Sequence, residues 1–540
     1  MLRIQSLKIP ADSDQNIKQK LLKTLRVEEK DLISWRIFKR SIDARRKDRI
    51  QVVYTVDAAL KDEKAVLAKL KKGTAITAPD EPKLNIEFGK EKLSSPPLII
   101  GTGPAGLFAG LLLAEQGYNP ILLEKGKPVP ERVKDVYTFW KDGTLNPDSN
   151  VQFGEGGAGT FSDGKLTTRI SDPRCRWVLR ALAAHGAPEE VLYDSKPHIG
   201  TDRLRQVVVN VRKTIEARGG TVLFQHDVES LIVEGGRVSG VQLNNGKAIE
   251  SPVVIAAMGH SARQLFMAME QQGIPMISKA FSIGVRIEHP QEWINTIQYG
   301  AASAKLPVLG AADYRLAWHH PEGRGAYSFC MCPGGQVVAS ASETGGITTN
   351  GMSAYGRKGK NANSALLVSV TPSDFEGNAP LAGIVFQRKW ERKAFEAAGG
   401  GYYAPAQRVG DFLENRPSSE LGKVRPTYRP GVVMTDLREC LPDYVTEVLQ
   451  GALKAWNHSM KGFALPDALM TGIETRSSSP VRLLRDDRHE SPVKGLFPAG
   501  EGSGYAGGIM SAAVDGLKTA EAVIKTYCPS VRLDHLKKNQ

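Results

Sequence analysis

Residues 97–126 read PLIIGTGPAGLFAGLLLAEQGYNPILLEKG. An apolar run over residues 98–100 leads into a glycine-containing turn. An Ala- and Leu-rich segment follows and ends at Gly117, and a second apolar run closes on Glu124. The hydrophobic pattern changes at the glycines from that of a buried strand to that of a helix, which argues against a membrane span. The stretch therefore predicts a strand, a helix and a second strand.

The turn has the spacing G-x-G-x-x-G, formed by Gly101, Gly103 and Gly106. The first glycine allows a tight bend, the second lets a pyrophosphate approach the backbone, and the third lets the helix pack closely on the sheet. Glu124 follows Gly103 by 21 residues, where an acidic side chain holds the ribose hydroxyls. A carboxylate there repels a 2′-phosphate, so the unit is predicted to bind FAD or NAD rather than NADP.

The composition is typical of a soluble globular protein. The chain has 540 residues, 41% hydrophobic and 24% charged, which predicts two or three domains. No apolar signal region follows Met1, and five scattered cysteines fit a reducing compartment, so a cytoplasmic location is expected. No metal-ligand spacing is present, and no metal site is predicted.

The first 92 residues have a pattern of their own and carry excess positive charge. Residues 1–95 hold 22 Lys and Arg against 14 Asp and Glu, a net +8 out of +13 for the chain. Alternating and helical patterns predict the order βαββαβ, with a last strand at Leu84–Phe88. The basic turn at residues 44–49 could contact nucleic acid, but the aromatic signature of an RNA-recognition strand is absent. A solvated basic face on an accessory domain is the alternative.

Glycine-rich segments follow at two further places. Residues 150–169, NVQFGEGGAGTFSDGKLTTR, predict an ordered ligand loop, and residues 228–250 predict a three-stranded meander with an Asn-Asn-Gly turn. Residues 253–259, VVIAAMG, predict a buried parallel strand. Near the end, GLFPAGEGSGYAGGI at residues 495–509 predicts a strand, an acidic turn and a helix that starts after two glycines.

Together these motifs resemble the single-dinucleotide FAD-dependent oxidoreductases. The closest resemblance is to bacterial FAD-dependent dehydrogenases of unassigned substrate that carry the S-D-G-K-L and F-C-M-C-P-G-G signatures, here at residues 162–166 and 329–335. The resemblance covers roughly residues 95–525. It implies FAD held between the first βαβ unit and the C-terminal glycine helix, with Val228 on the adenine side and Glu501 on the flavin side, where Asp is usual.

The predicted cofactor-binding residues belong to these motifs. They are Gly101, Gly103, Pro104, Ala105, Gly106, Glu124, Lys125, Gly157, Gly159, Ser162, Asp163, Val228, Gly259, Gly500, Glu501, Gly507, Gly508 and Ile509. A second dinucleotide-binding domain is not predicted. NAD(P)H, if it donates electrons, is therefore expected to bind only transiently over the flavin.

The middle of the chain is predicted to face the substrate. Residues 281–288, 308–316 and 325–332 have strand-like composition, with a turn at 333–335. The candidate proton donors are His260, His320 and Tyr327, although His260 could instead be a polar residue at a helix start. Arg286, Arg476 and Arg482 are candidates for holding an anionic group, of which Arg286 and Arg476 are the predicted substrate-binding residues. Cys330 and Cys332 could be a redox pair or two buried thiols.

The predicted fold class is α/β. It comprises a Rossmann-type FAD-binding domain, an inserted α+β substrate domain and an N-terminal ferredoxin-like βαββαβ domain. The predicted regions are 1–92 (accessory), 96–270 and 475–530 (FAD-binding), and 271–474 (substrate or cap). The predicted function is that of an FAD-dependent oxidoreductase that transfers hydride at flavin N5 on a small molecule. The alternative is a flavin-dependent RNA-binding or RNA-modifying protein that uses the basic N-terminal domain.

Overall fold

A computed structural model describes residues 1–71, 73–79 and 84–529. Residues 72, 80–83 and 530, which belong to the predicted regions, lie outside the described residues. Within the described ranges, no helix is both long enough and apolar enough to cross a bilayer.

The N-terminal unit is a four-stranded antiparallel sheet with two helices. Its elements are β1 (Leu2–Pro10), α1 (Ile17–Leu25), β2 (Leu32–Asp43), β3 (Gln51–Leu60), α2 (Glu63–Lys69) and β4 (Ala75–Thr77), in the sheet order β2-β3-β1-β4. The element order is the predicted one, but the predicted strand at Leu84–Phe88 is wrong. The three residues of β4 occupy the edge beside β1 instead, and residues 84–88 form no strand.

This unit is attached to the rest of the chain through polar contacts. The Arg40 guanidinium pairs with both carboxylate oxygens of Asp194, at 2.6 and 2.7 Å, and the Arg40 N–H donates to Tyr193 O at 2.7 Å. In the basic turn, Arg45 pairs with Asp43 and Arg46 with Asp48. Neighbouring carboxylates therefore partly neutralise this turn.

A five-stranded parallel sheet forms the centre of the molecule. After β5 (Glu91–Lys92), the chain forms β6 (Leu98–Ile100), α3 (Pro104–Glu115), β7 (Ile121–Glu124), α4 (Val129–Asp142), α5 (Arg174–Ala184), α6 (Thr201–Ala217) and β8 (Thr221–Phe224). The meander β9 (Val228–Glu234), β10 (Arg237–Leu243) and β11 (Ala248–Glu250) precedes β12 (Val254–Ala256) and α7 (Arg263–Gln271). The predicted strand, helix and strand at the first glycine turn, and the meander, are confirmed.

The next region contains a large mixed sheet. Its elements are β13 (Met276–Ser278), β14 (Phe281–Pro290), α8 (Gln291–Tyr299), β15 (Ala317–His319), β16 (Gly325–Ala339), β17 (Thr349–Met352), β18 (Asn361–Val370), α9 (Ala382–Ala397), β19 (Ala404–Arg408), α10 (Val409–Leu413), β20 (Val432–Met434), α11 (Asp443–Ser459) and β21 (Leu469–Glu474). Two predictions are wrong here. Residues 310–316 form no strand or helix, and β16 continues through the predicted turn at 333–335 because two register shifts accommodate the extra residues.

The chain then returns to the central sheet. It forms β22 (Val481–Leu483), β23 (Leu496–Pro498), α12 (Ile509–Thr526) and β24 (Tyr527–Cys528). The parallel order is β23-β12-β6-β7-β8, with α12 packed on α3. Apolar side chains fill both faces of this sheet, so its carboxyl edge is the part left open to a ligand.

Candidate functional site

A cavity of about 1110 Å³ lies at the carboxyl edge of the central sheet. Its wall comes from the glycine turn after β6, the loop at 152–165, the segment after β12, strand β16 and residues 499–512. Pockets for small molecules usually measure about 300–1,000 Å³, so this one has room for a dinucleotide. Of the predicted cofactor-binding residues, Gly106 and Gly507 are outside the lining, and the other sixteen lie in it.

Gly103 presents an open backbone face to this cavity. It is the N-cap of α3 with φ −68°, and no atom lies within 4 Å of the position that a Cβ would occupy. The first N–H groups of a helix have no acceptor inside the helix and carry partial positive charge. Gly103 therefore leaves room for an anionic group to reach the start of α3.

Unlike Gly103, Gly106 faces into the protein and not into the cavity. A Cβ at Gly106 would lie 1.9 Å from Gly101 O, closer than any side chain permits. The glycine allows the first turn of α3 to pack against the bend after β6, which confirms the close approach predicted for this position.

The Glu124 carboxylate ties the glycine turn to the ligand loop. Thr102 donates to it from its N–H at 3.0 Å and its hydroxyl at 2.7 Å, and the N–H groups of Gly126 and Gly154 donate at 2.9 and 2.8 Å. A carboxylate has about four lone-pair sites, and these donors occupy them. The ribose contact of Glu124 stays a prediction, since a hydroxyl donor would have to displace one of the four.

Lys125 and Val228 lie at the end of the cavity that is predicted to hold adenine. The Lys125 ammonium pairs with Asp227 at 3.1 Å and Asp148 at 3.2 Å and lies 5.1 Å from the centre of the Phe153 ring. Val228 begins β9 and is buried. The lysine charge is therefore held within a wall that already contains two carboxylates.

Asp163 orders the loop at 152–165 from the inside. Its buried carboxylate accepts from the Ser353 hydroxyl and from Arg357 Nε at 3.1 Å. Burial alone would raise the pKa of Asp163, but the charges of Arg357 and Lys165 hold it below its ordinary value. The loop is thus fastened to the segment after β17, which supports its predicted ordered state.

The second glycine turn leads into α12 and forms, with the start of that helix, a further wall of the cavity. Gly508 is the N-cap of α12 with φ 78°, and its N–H donates to Glu501 Oε2 at 3.3 Å. The Gly500 N–H donates to Asp515 Oδ2 at 2.7 Å, and Asp515 pairs with Arg485. Asp515, on the second turn of α12, was not predicted because its spacing from Gly500 belongs to no recognised motif.

Burial raises the pKa of Glu501 to about 7, and the Cys330 thiolate contributes in the same direction. Because the folded protein favours the neutral form of Glu501, this carboxyl contributes its full stability below the ordinary pKa of a glutamate. That contribution is lost as pH rises through about 7. We expect the thermal midpoint of wild type to fall relative to Glu501→Gln between about pH 5 and pH 8, measured by thermal unfolding across that range.

The control for this prediction is Glu28→Gln, because the Glu28 carboxylate is exposed and pairs with Lys30 at the surface. The difference in thermal midpoint between Glu28→Gln and wild type should not grow with pH. If the difference in thermal midpoint between wild type and Glu501→Gln also stayed constant with pH, it would contradict the raised pKa of Glu501.

Of the three predicted proton donors, only His260 lines the cavity. Burial, together with the charges of Arg476 and Arg263, lowers the pKa of His260 to about 3, so the ring is neutral at physiological pH. Its Nδ1 lies 3.2 Å from the Ser261 hydroxyl. A neutral imidazole can orient a ligand but is not a strong acid.

His320 and Tyr327 are outside the cavity. His320 lies in the turn after β15, about 4 Å from the carboxylates of Glu322 and Glu447. Tyr327 donates its hydroxyl to Ser282 Oγ at 2.8 Å within the strand region. Neither side chain is in the cavity lining, so neither is placed to give a proton to a ligand there.

Arg286 does not line the cavity, so it cannot be the predicted substrate clamp. Its guanidinium is fully buried and donates to Glu474 at 2.6 and 3.0 Å, to Asn363 at 2.8 Å, to Asn350 at 3.2 Å and to Cys330 O at 3.1 Å. These acceptors use all five N–H groups. Arg286 therefore positions the cavity residues Glu474, Asn350 and Cys330.

Arg476 does line the cavity and belongs to a buried ion network. It donates to both oxygens of Glu391 at 3.0 Å and to the hydroxyls of Ser261 and Ser342. Arg263 donates to the same Glu391 carboxylate at 2.8 and 2.9 Å. Arg476 stays a predicted substrate-binding residue, whereas Arg482 lies outside the lining, where its Nε donates to Gly504 O.

Comparisons with known proteins cover most of the chain. An uncharacterized protein of Clostridium beijerinckii is 48% identical over 529 residues, which cover 97% of this chain and 99% of that protein. Residues 280–477 match the family model described as FAD-dependent protein, C-terminal domain-like, and residues 1–59 match a domain of unknown function, DUF8436.

Solved structures give matches of lower identity. The FAD complex of glycerol-3-phosphate dehydrogenase from Bacillus halodurans is 12% identical, with a TM-score of 0.35, over 82% of this chain and 67% of that one. L-proline dehydrogenase from P. horikoshii is 12% identical, with a TM-score of 0.35, over 82% of this chain and 96% of that one. The sequence comparisons show that the chain belongs to the same family as the Clostridium beijerinckii protein and contains the C-terminal domain-like region of FAD-dependent proteins.

Proposed function

We propose that the chain binds FAD in the cavity at the carboxyl edge of the central sheet and acts as an oxidoreductase on a small-molecule substrate. The observation that carries this proposal is the pair of glycine N-caps, Gly103 and Gly508. Each lies at the start of a helix in the cavity wall, and at each the position of a Cβ is free of other atoms within 4 Å.

The residues present fit such a cofactor. The start of α3 offers helix N–H groups and positive partial charge to a diphosphate, and the start of α12 offers positive partial charge to the electron-rich edge of a flavin ring. The cavity volume of about 1110 Å³ leaves space beside a dinucleotide for a second ligand.

When bound, FAD would supply hydride acceptance at flavin N5. The chain's own residues would orient the ligands and manage protons. Glu501, with a pKa of about 7, can hold or release a proton at its carboxyl group near neutral pH, so it replaces His320 and Tyr327 as the candidate acid. Neutral His260 and the Arg476 guanidinium would orient the substrate from the side of β12 and β21.

The direct test is the visible absorption spectrum of the purified full chain, followed by anaerobic addition of NADH and of NADPH. A flavin spectrum supports the proposal, and bleaching by one nucleotide identifies that nucleotide as an electron donor. A flavin spectrum that neither nucleotide bleaches removes NAD(P)H as the donor and directs the search to electrons from a substrate. A colourless chain that cannot be reconstituted with FAD would overturn the proposal.

Gly103→Ala tests the placement of the diphosphate. Its methyl group would occupy the open space at the start of α3 without touching the protein, so the fold should keep its stability while the cofactor is displaced. We expect FAD affinity to fall about tenfold or more, a loss of about 1.4 kcal/mol or more, measured by titration of the apoprotein with FAD.

Gly356→Ala is the matched control. Gly356 lies outside the cavity lining, and a Cβ there would make only ordinary contacts with the Lys358 side chain, at 3.7 Å or more. This variant should bind FAD as wild type does. Equal affinities of Gly103→Ala and Gly356→Ala would place the diphosphate elsewhere.

A further inference from the structure

The F-C-M-C segment of β16 has no role in the function proposed so far. Phe329 pairs with Ala365 of β18 and Cys332 with Asn363, so the register shifts between them. Cys330 lies in this irregular segment with φ 44°, a conformation that non-glycine residues rarely adopt. Phe329 and Cys330 line the cavity, whereas Cys332 is buried behind them.

The side chain of Cys332 contacts the backbone of Cys330. Cys332 Sγ donates to Cys330 O at 3.2 Å. Cα atoms two residues apart on a strand are separated by about 6.6 Å, and disulfides span about 4.4–6.8 Å between Cα atoms. A bond between the two sulfur atoms therefore requires only local adjustment of an already irregular segment.

The surroundings favour the thiolate form of Cys330. Interaction with the Cys332 side chain lowers the pKa of the Cys330 thiol below its ordinary value, and the charges of Arg286 and Lys165 act in the same direction. The interaction with the Cys330 side chain, together with burial, raises the pKa of Cys332. This is the arrangement of an accessible attacking thiol with a protonated partner behind it.

Cys330 also lies at the predicted flavin end of the cavity. Its charge is one of the causes that raise the pKa of Glu501, and Lys165 of the S-D-G-K-L segment acts on it from another wall. Cys440 offers a contrast, because it is buried in the core, donates to Leu437 O at 3.4 Å and has a pKa raised to about 12 by burial.

We propose that Cys330 and Cys332 are a redox-active thiol pair that exchanges one electron pair with FAD bound in the cavity. The proposal rests on the proposed function, since it takes FAD as the oxidant. In the oxidising direction the S–H bond of Cys332 breaks and one S–S bond forms between Cys332 and the Cys330 thiolate. The electron pair and the Cys332 proton would pass to the flavin. The reverse step reduces the disulfide at the expense of reduced flavin.

The test counts electrons in the FAD-loaded full chain. The protein is oxidised with diamide, freed of reagent and titrated anaerobically with dithionite. Wild type should consume two electron pairs for each FAD, one for the flavin and one for the disulfide. Cys330→Ser and Cys332→Ser should each consume one, which is a loss of half the capacity. Cys440→Ser, the control at a buried thiol outside the cavity, should consume two.

The outcomes separate this proposal from the proposed function. A wild-type protein that shows a flavin spectrum but consumes one electron pair overturns the thiol pair and leaves FAD binding intact. Two pairs in Cys332→Ser would place the disulfide elsewhere and also overturn it. A chain that shows no flavin spectrum after reconstitution overturns the proposed function and this proposal together.

Discussion

Arg286→Met is expected to lower the free energy of unfolding by about 3–5 kcal/mol, because it leaves a buried carboxylate without its counter-charge. Arg286 and Glu474 are both buried, and their side chains form two hydrogen bonds at 2.6 and 3.0 Å. The substitution also removes the donors that Asn350, Asn363 and Cys330 O accept from. Urea unfolding of wild type and variant gives the difference directly.

The decrease in the free energy of unfolding caused by Arg286→Met should depend on pH. Burial raises the pKa of Glu474 and the charge of Arg286 opposes that shift, so removing Arg286 raises the pKa further. A raised carboxyl pKa costs stability as pH increases, and the deficit of Arg286→Met should therefore be larger at about pH 8 than at about pH 5.

Two further variants serve as controls for Arg286→Met. Arg46→Ala removes an exposed surface pair with Asp48 and should leave the free energy of unfolding almost unchanged. The double variant Arg286→Met, Glu474→Leu removes both buried charges and should recover part of the loss. If Arg286→Met costs no more than Arg46→Ala, the buried pair does not have the role assigned to it.

Gly106→Ala is expected to destabilise the protein by about 1–3 kcal/mol or more and to abolish FAD loading with it. The added Cβ would lie 1.9 Å from Gly101 O, a backbone atom that cannot move without opening the bend after β6. The thermal midpoint and the flavin absorbance of the purified variant measure the two effects.

The comparison with Gly103→Ala makes this prediction specific. The two glycines are three positions apart in the sequence, but only a Cβ at Gly106 would meet the protein. Gly103→Ala should keep the thermal midpoint of the apoprotein and lose affinity, whereas Gly106→Ala should lose both. A Gly106→Ala variant with wild-type stability would show that the turn can relax.

Local sequence patterns predicted the parts of the fold that depend on neighbouring residues. The strand, helix and strand around Gly101 and the meander at 228–250 follow from hydrophobic period and glycine position. The edge strand Ala75–Thr77 was not predicted, because three residues are too few to show an alternation of apolar and polar side chains. The passage of β16 through Pro333 depends on register shifts against β18, which no local pattern shows.

In the site, too, sequence patterns predicted the residues of short motifs but not the partners that are distant in the sequence. The glycines and Glu124 lie in short motifs whose spacing is visible in the sequence, and the structure places nearly all of them in one cavity. The charged residues of the middle region were harder to assign. Glu474 neutralises Arg286 from 188 residues away, and Glu391 lies between Arg263 and Arg476. The sequence shows that an arginine is present, but it does not show which carboxylate forms an ion pair with that arginine.

The position of β12 in the central sheet bears on how the protein is made. β12 lies between β6 and β23, yet β23 begins 240 residues after β12 ends. At about 5–20 residues per second, the ribosome needs roughly 12–48 s to synthesise that interval. Throughout it, the nascent chain carries an unpaired apolar edge at Val254–Ala256, the kind of edge that chaperones shield. The cavity that we propose for FAD is therefore incomplete until residues 499–512 have been synthesised, because they form one of its walls.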